Sequence, residues 1–214
     1  MKKVTKIEYQ KKNKERVNIY LDDKYEFSID LNTMIKYSVN KNKELDDEFI
    51  SEILMTEEKI KAYNYAVSLL TRSSKSEKQL RQKMQDKGFD SDMIDNAINK
   101  LCCNNYLNDE DFSERFIHDK KNYAKWGKLK IKNELYNKGI DRSIIEEKLS
   151  VISKDEEYQR ACELAEKKLK SLKEEEPLKR KIKLGNFLIN KGFDYETAKN
   201  VTAKLIKIDD ECDY

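Results

Sequence analysis

Residues 128–141 read KLKIKNELYNKGID, and close counterparts of the stretch stand at 80–90 (LRQKMQDKGFD) and 184–194 (LGNFLINKGFD). The three copies align on Gly88, Gly139 and Gly192, spaced 51 and 53 residues apart. Eight and four places before each glycine come Leu80 and Met84, Ile131 and Leu135, Leu184 and Leu188, the spacing of one helix face. One place after it comes Phe89, Ile140 or Phe193, and two places after it Asp90, Asp141 or Asp194. Thirteen places after it Leu101, Ile152 and Leu205 match again. A glycine that takes the left-handed conformation ends a helix, and an aspartate two residues later caps the next one. Each copy is therefore a helix stop followed at once by a helix start. The spacing predicts three tandem three-helix repeats in an elongated, curved array.

Working outward, other caps fall into place. Ser76 to Gln79 has the capping-box pattern, Asn108 and Ser153 open the first helices of repeats 2 and 3, and Pro177 suits a first turn. Thr56, with Glu57 and Glu58 behind it, is expected to start the first helix of repeat 1, whose apolar stripe is Ile60, Tyr63, Val67 and Leu70. Upstream, VTKIEY, RVNIYL and YEFSI alternate with period two, and Asp22-Asp23-Lys24 reads as a tight turn. Val17, Ile19 and Leu21 share one face; Tyr25, Phe27 and Ile29 share another. The expected layout is an N-terminal antiparallel β-meander over 1–30, linking helices over 31–55, and repeats over 56–107, 108–152 and 153–214.

Composition narrows the function. Charged residues make up 40% of the chain and hydrophobic ones 38%, with one proline and five glycines, as in helices with one wet face and one buried stripe. No apolar run is long enough to cross a membrane, and MKKVTKIEYQKKNKE lacks the apolar core of a secretory signal, so a cytoplasmic protein is expected. Cys102, Cys103, Cys162 and Cys212 form no CxxC pair and His118 is the sole histidine, which argues against a metal site. Phosphate-binding glycine loops and a serine–histidine–aspartate set are absent, so neither a cofactor nor catalysis is expected.

Charge follows the repeat. The middle helices carry net charges of +2 (76–87), +3 (128–138) and +5 (178–191), whereas 90–100 carries −2. Such a row suits a polyanion or an acidic protein groove. HDKKNYAKWGKLKIK is the densest part, interleaving Lys120, Lys121, Lys125, Lys128 and Lys130 with Tyr123 and Trp126. Trp126 reads equally as a contact residue and as a plug between helices.

SSKSEKQLRQKMQDKGFD, followed by NNYLNDEDFSERFIHDKKNYAKWGKLKIKNELYNKGID, resembles the RecX family of regulators of the RecA recombinase. The resemblance covers nearly the whole chain and is weakest after Ser150, where Glu174-Glu175-Glu176 intervenes. It implies a monomeric, non-enzymatic modulator that binds RecA and its filament on single-stranded DNA and mainly restrains filament growth, ATP hydrolysis and strand exchange. Direct DNA binding by the same basic helices is the alternative. The candidate contact residues are Arg72, Lys75, Arg81, Lys83, Lys120, Lys121, Lys125, Trp126, Lys128, Lys130 and Lys132. Glu77 and Glu134 are expected to serve the scaffold.

Overall fold

The computed structural model describes residues 1–173 and 176–206, so Glu174, Glu175 and Cys212 lie outside the described residues. The chain divides into two compact units: Met1–Ser73 with Leu80–Tyr106, and Ser74–Gln79 with the chain from Leu107 onward.

In the first unit, β1 (Lys2–Tyr9), β2 (Arg16–Leu21) and β3 (Lys24–Asp30) form the expected meander. Asp22 and Asp23 both take positive φ, giving the primed turn that matches strand twist. A short fourth strand, β4 (Glu44–Leu45), pairs with β1 and completes an antiparallel sheet of order β3-β2-β1-β4. The shared face expected for Tyr25, Phe27 and Ile29 is broken. A register shift between Ile19 and Tyr20 leaves Tyr25 exposed against Tyr20, while Phe27 and Ile29 stay buried.

Between β3 and β4 lies α1 (Leu31–Lys36), capped by Asp30. Next comes α2, a single 26-residue helix from Asp47 to Arg72, capped by Asp46. The helix start expected at Thr56 does not occur, because no glycine or proline interrupts the run and both halves have a core to join. Ile50 and Ile53 pack into the sheet cluster with Val17, Ile19, Phe27 and Ile29. The second half buries Ala62, Ala66 and Leu69, whereas Ile60, Tyr63, Val67 and Leu70 are only half-buried. Small residues win the inward positions because α4 (Ser91–Cys103) packs closely along α2. Thr56 instead meets the Tyr37 hydroxyl at 2.8 Å.

The repeats then follow the sequence pattern. Repeat 1 comprises α2, α3 (Glu77–Asp86) and α4; repeat 2 α5 (Asp109–Asn122), α6 (Lys128–Asn137) and α7 (Arg142–Ser150); repeat 3 α8 (Lys154–Leu169), α9 (Pro177–Asn190) and α10 (Tyr195–Leu205). Leu80, Met84, Ile131, Leu135, Leu184 and Leu188 are all fully buried. Asp90, Asp141 and Asp194 each accept a main-chain N–H in the first turn of the helix they open, and Asn108 and Ser153 do the same for α5 and α8. Ser76 and Gln79 form the capping box reciprocally. Gly88, Gly139 and Gly192 all have φ between 81° and 94°.

Candidate functional site

Within the second unit, the middle helix of one repeat is fastened to the Lys-Gly turn of the next. Residues 74–79, which begin α3, pack with repeat 2: the Ser76 hydroxyl donates to the Lys138 carbonyl at 2.6 Å, and the Lys78 side chain lies over Gly139. At the start of α6, Gly127 N–H donates to the Lys191 carbonyl at 2.8 Å and Leu129 N–H to that of Gly192 at 3.0 Å. Gly127 has an ordinary φ of −77°, so glycine is needed there for space alone.

Each joint also holds a carboxylate. Asp109 accepts the Glu77 N–H at 2.9 Å and Glu157 accepts the Lys128 N–H at 2.7 Å. A residue of the following repeat thus caps the preceding repeat's middle helix, where free N–H groups and the helix dipole favour an anion. In the first unit the buried Glu57 also accepts a main-chain N–H, that of Asp30 at the end of β3, at 2.9 Å, and lies 3.0 Å from Arg16. Burial pushes the Asp109 carboxyl above its usual range, against the pull of the Glu77 N–H. At the second joint Arg160, also buried, donates to the Trp126 carbonyl at 2.9 Å. Burial lowers its pKa, opposed by the charge of Glu157. Glu157→Ala should therefore remove a helix cap and leave a buried guanidinium without its main counter-charge. The expected loss is about 3–5 kcal/mol, read by urea unfolding, against about 1–2 kcal/mol for Glu157→Gln, which retains an acceptor.

These joints place α5 and α6 so that lysines and aromatic rings alternate across repeat 2. The Lys138 and Lys120 ammoniums each lie 5.3 Å from the centre of Phe116. Lys120 is also 5.1 Å from Trp126, and Lys130 covers the same indole at 4.7 Å. Phe116 and Trp126 meet edge to face at 6.4 Å. Lys125, at a positive φ of 54°, turns the chain just before Trp126, whose N–H bonds the Lys120 carbonyl at 2.9 Å. Among the described residues, none of Lys120, Lys130 and Lys138 has a carboxylate within 4.0 Å; Lys130 reaches only the Asn190 carbonyl, at 3.4 Å. Rings hold these three charges in place without neutralising them.

Family sequence models match this chain in four successive segments: Regulatory protein RecX N-terminal domain over residues 2–46, then RecX first, second and third three-helix domains over 62–101, 108–149 and 155–202. The chain belongs to the RecX family. Regulatory protein RecX of Clostridioides difficile (strain 630) is 39% identical over 207 residues, covering 97% of each chain. That of Clostridium perfringens (strain 13 / Type A) is 40% identical over 207 residues, covering 96% of this chain and 97% of its own. A crystal structure of regulatory protein RecX matches with a TM-score of 0.77 at 26% identity, covering 94% of this chain and 98% of the other. That of RecX from Lactobacillus salivarius matches at 0.63 and 26% identity, covering 70% and 97%.

On this RecX scaffold the candidate residues divide by their surroundings. Arg81 pairs with Asp95, and Lys83 lies 3.9 Å from Asp86. Lys121 pairs with Glu156 at 2.7 Å, which holds that carboxyl below its usual range. Lys125 is 3.9 Å from Glu163 and Lys132 3.8 Å from Glu146. Lys128 contributes its N–H to the joint with Glu157. Arg72 ends α2 exposed, and Lys75 lies half-buried in the segment before α3. Trp126 is half-buried: it packs against the repeat 2 core and has the ammoniums of Lys120 and Lys130 over its ring. Sequence reasoning missed Phe116 and Lys138. Lys138 counts in the +3 charge of residues 128–138 but has no aromatic neighbour in sequence order beyond Tyr136 to single it out; Phe116 follows Phe112 by four residues, a spacing that also describes an ordinary core stripe.

Proposed function

We propose that the chain is a non-enzymatic, cytoplasmic regulator that binds RecA and RecA–single-stranded DNA filaments as a monomer. It mainly restrains filament growth, ATP hydrolysis and strand exchange, and so acts in recombination, DNA repair and the SOS response. The observation that carries this reading is a match to the RecX family along all four of its domains, not in one module alone. The lysine–aromatic surface of repeat 2 supports it by supplying positive charges with no carboxylate within ion-pair distance among the described residues.

The second reading, a stand-alone DNA-binding module, rests on the same lysines. Phe116 and Trp126 are already covered by ammonium groups, which disfavours base stacking on them and leaves contact with phosphates. Such binding falls steeply with salt. A RecA ATPase assay on single-stranded DNA, titrated with this protein, separates the readings. Inhibition at protein levels well below the nucleotide concentration, with weak DNA binding alone, supports the filament regulator. Inhibition that only tracks coating of the DNA refutes it.

A further inference from the structure

The middle helices of repeats 1 and 2 use their first turns to engage the following Lys-Gly turn; α9, the middle helix of repeat 3, starts farther ahead of its glycine and carries an exposed aliphatic stripe. Ten residues before the glycine, Lys78 lies over Gly139 and Leu129 donates its N–H to Gly192. The equivalent residue of α9 is Ile182, which is 54% exposed. Leu178, one turn earlier, is also 54% exposed, and Ile189, seven residues later, is 44% exposed. Positions 178, 182 and 189 fall within a narrow sector of the helix and run about 16 Å along it. Repeats 1 and 2 place Ser74, Lys78 and Gln85, and Lys125, Leu129 and Tyr136, at these positions, so a wholly aliphatic stripe belongs to repeat 3 alone. Its cap residue, Glu176, accepts no main-chain N–H of the helix, unlike the caps of α8 and α10, and instead pairs with Lys179 at 2.6 Å.

We propose that this face of α9 is a docking surface for an acidic protein segment that carries apolar side chains. Two features select that occupant. Residues 176–191 contain Lys179, Arg180, Lys181, Lys183 and Lys191 against one acid, Glu176, which pairs with Lys179, so the helix keeps a net positive charge that favours a negative segment. Nucleic acid meets that demand but offers little to cover three aliphatic side chains, and no exposed ring stands among them for a base to stack on. Pro177 takes the first position of α9 and has no N–H to give, so the carboxylate cap of the two internal joints does not recur there and the contact is made by side chains. This inference rests on the RecA reading, in which the docked segment belongs to a recombinase protomer. The contact then lies on repeat 3, and Lys130 of the lysine–aromatic surface reaches its C-terminal end at the Asn190 carbonyl.

The test compares the full chain with Leu178→Asp/Ile182→Asp and with Leu178→Met/Ile182→Val, measuring affinity for RecA without DNA and for single-stranded DNA without RecA. The aspartate pair should weaken RecA binding about 30-fold, as loss of two apolar anchors does. The conservative pair should stay within about threefold, and melting temperature and DNA affinity should not change. Should the aspartates lower the melting temperature, Leu178→Ser/Ile182→Ser answers the same question without added charge. Unchanged RecA affinity with a binding wild type overturns the α9 assignment alone. Loss of DNA affinity alongside RecA affinity makes the face a nucleic-acid surface and also overturns it. A wild-type chain with no affinity for RecA refutes both this inference and the regulator reading.

Discussion

Alanine at position 127 should unfasten repeat 3 from repeat 2 while leaving each repeat's own helices formed. An added methyl group would overlap the Gly192 carbonyl and the Phe193 amide nitrogen, both main chain and both held in a helix-ending turn. Neither can move aside as a flexible side chain does. Relief requires the start of α6 to withdraw, with loss of the Gly127 and Leu129 hydrogen bonds to the turn. Overpacking together with two lost main-chain bonds sets the cost at about 3 kcal/mol or more. Gly88→Ala is the instructive control. Gly88 has a φ of +94° but nothing within 4 Å of an added methyl, so only backbone strain opposes the change, about 1–2 kcal/mol. Hydrogen exchange should localise the Gly127 defect to α6 and repeat 3. Equal destabilisation by the two substitutions would mean the close approach at Gly127 is not a constraint.

That contrast marks what could be read from the residues alone. The repeat was legible because Gly88, Gly139 and Gly192 share an angular requirement that only local chain geometry imposes. Their neighbours Asp90, Asp141 and Asp194 then satisfy a local cap. Gly127 lies outside the repeated pattern, and its reason is a strand of backbone some sixty residues away. The joint carboxylates were hidden for a similar cause. With 41 acidic residues in the chain, nothing local distinguishes Asp109 or Glu157, whose partners lie 32 and 29 residues upstream. Glu57 was assigned to a helix start it does not make, because its true partners, Asp30 and Arg16, are on and beside the sheet. Among the candidate lysines, sequence density points to a neighbourhood but does not separate lysines held by acids from lysines held by rings. Lys121 and Lys120 are adjacent, yet one faces a glutamate and the other two rings.

If the proposed regulator reading holds, replacing Lys120, Lys130 and Lys138 together by glutamate should lower the apparent potency of RecA inhibition by about 100-fold or more. The matched reversal of Lys83, Lys125 and Lys132 should change it by only about threefold. Both triples alter net charge equally, so long-range attraction changes to a similar degree; the difference isolates local engagement. The first set presents ammoniums held by Phe116 and Trp126 with no carboxylate to displace. Each lysine of the second set already has an acid nearby, in Asp86, Glu163 and Glu146, and must leave it to serve a partner. Exposed ion pairs contribute little to stability, so neither triple should unfold the protein through lost pairing. Glutamates over the rings do forfeit the cation–aromatic contacts, and a glutamine triple at 120, 130 and 138 controls for this by removing charge without adding repulsion. Its potency should fall between wild type and the glutamate triple. If the two reversed triples inhibit equally, general charge rather than this surface governs binding. If potency falls only as DNA affinity falls, measured without RecA across a salt series, the lysines serve the phosphate backbone and the stand-alone DNA reading gains the ground.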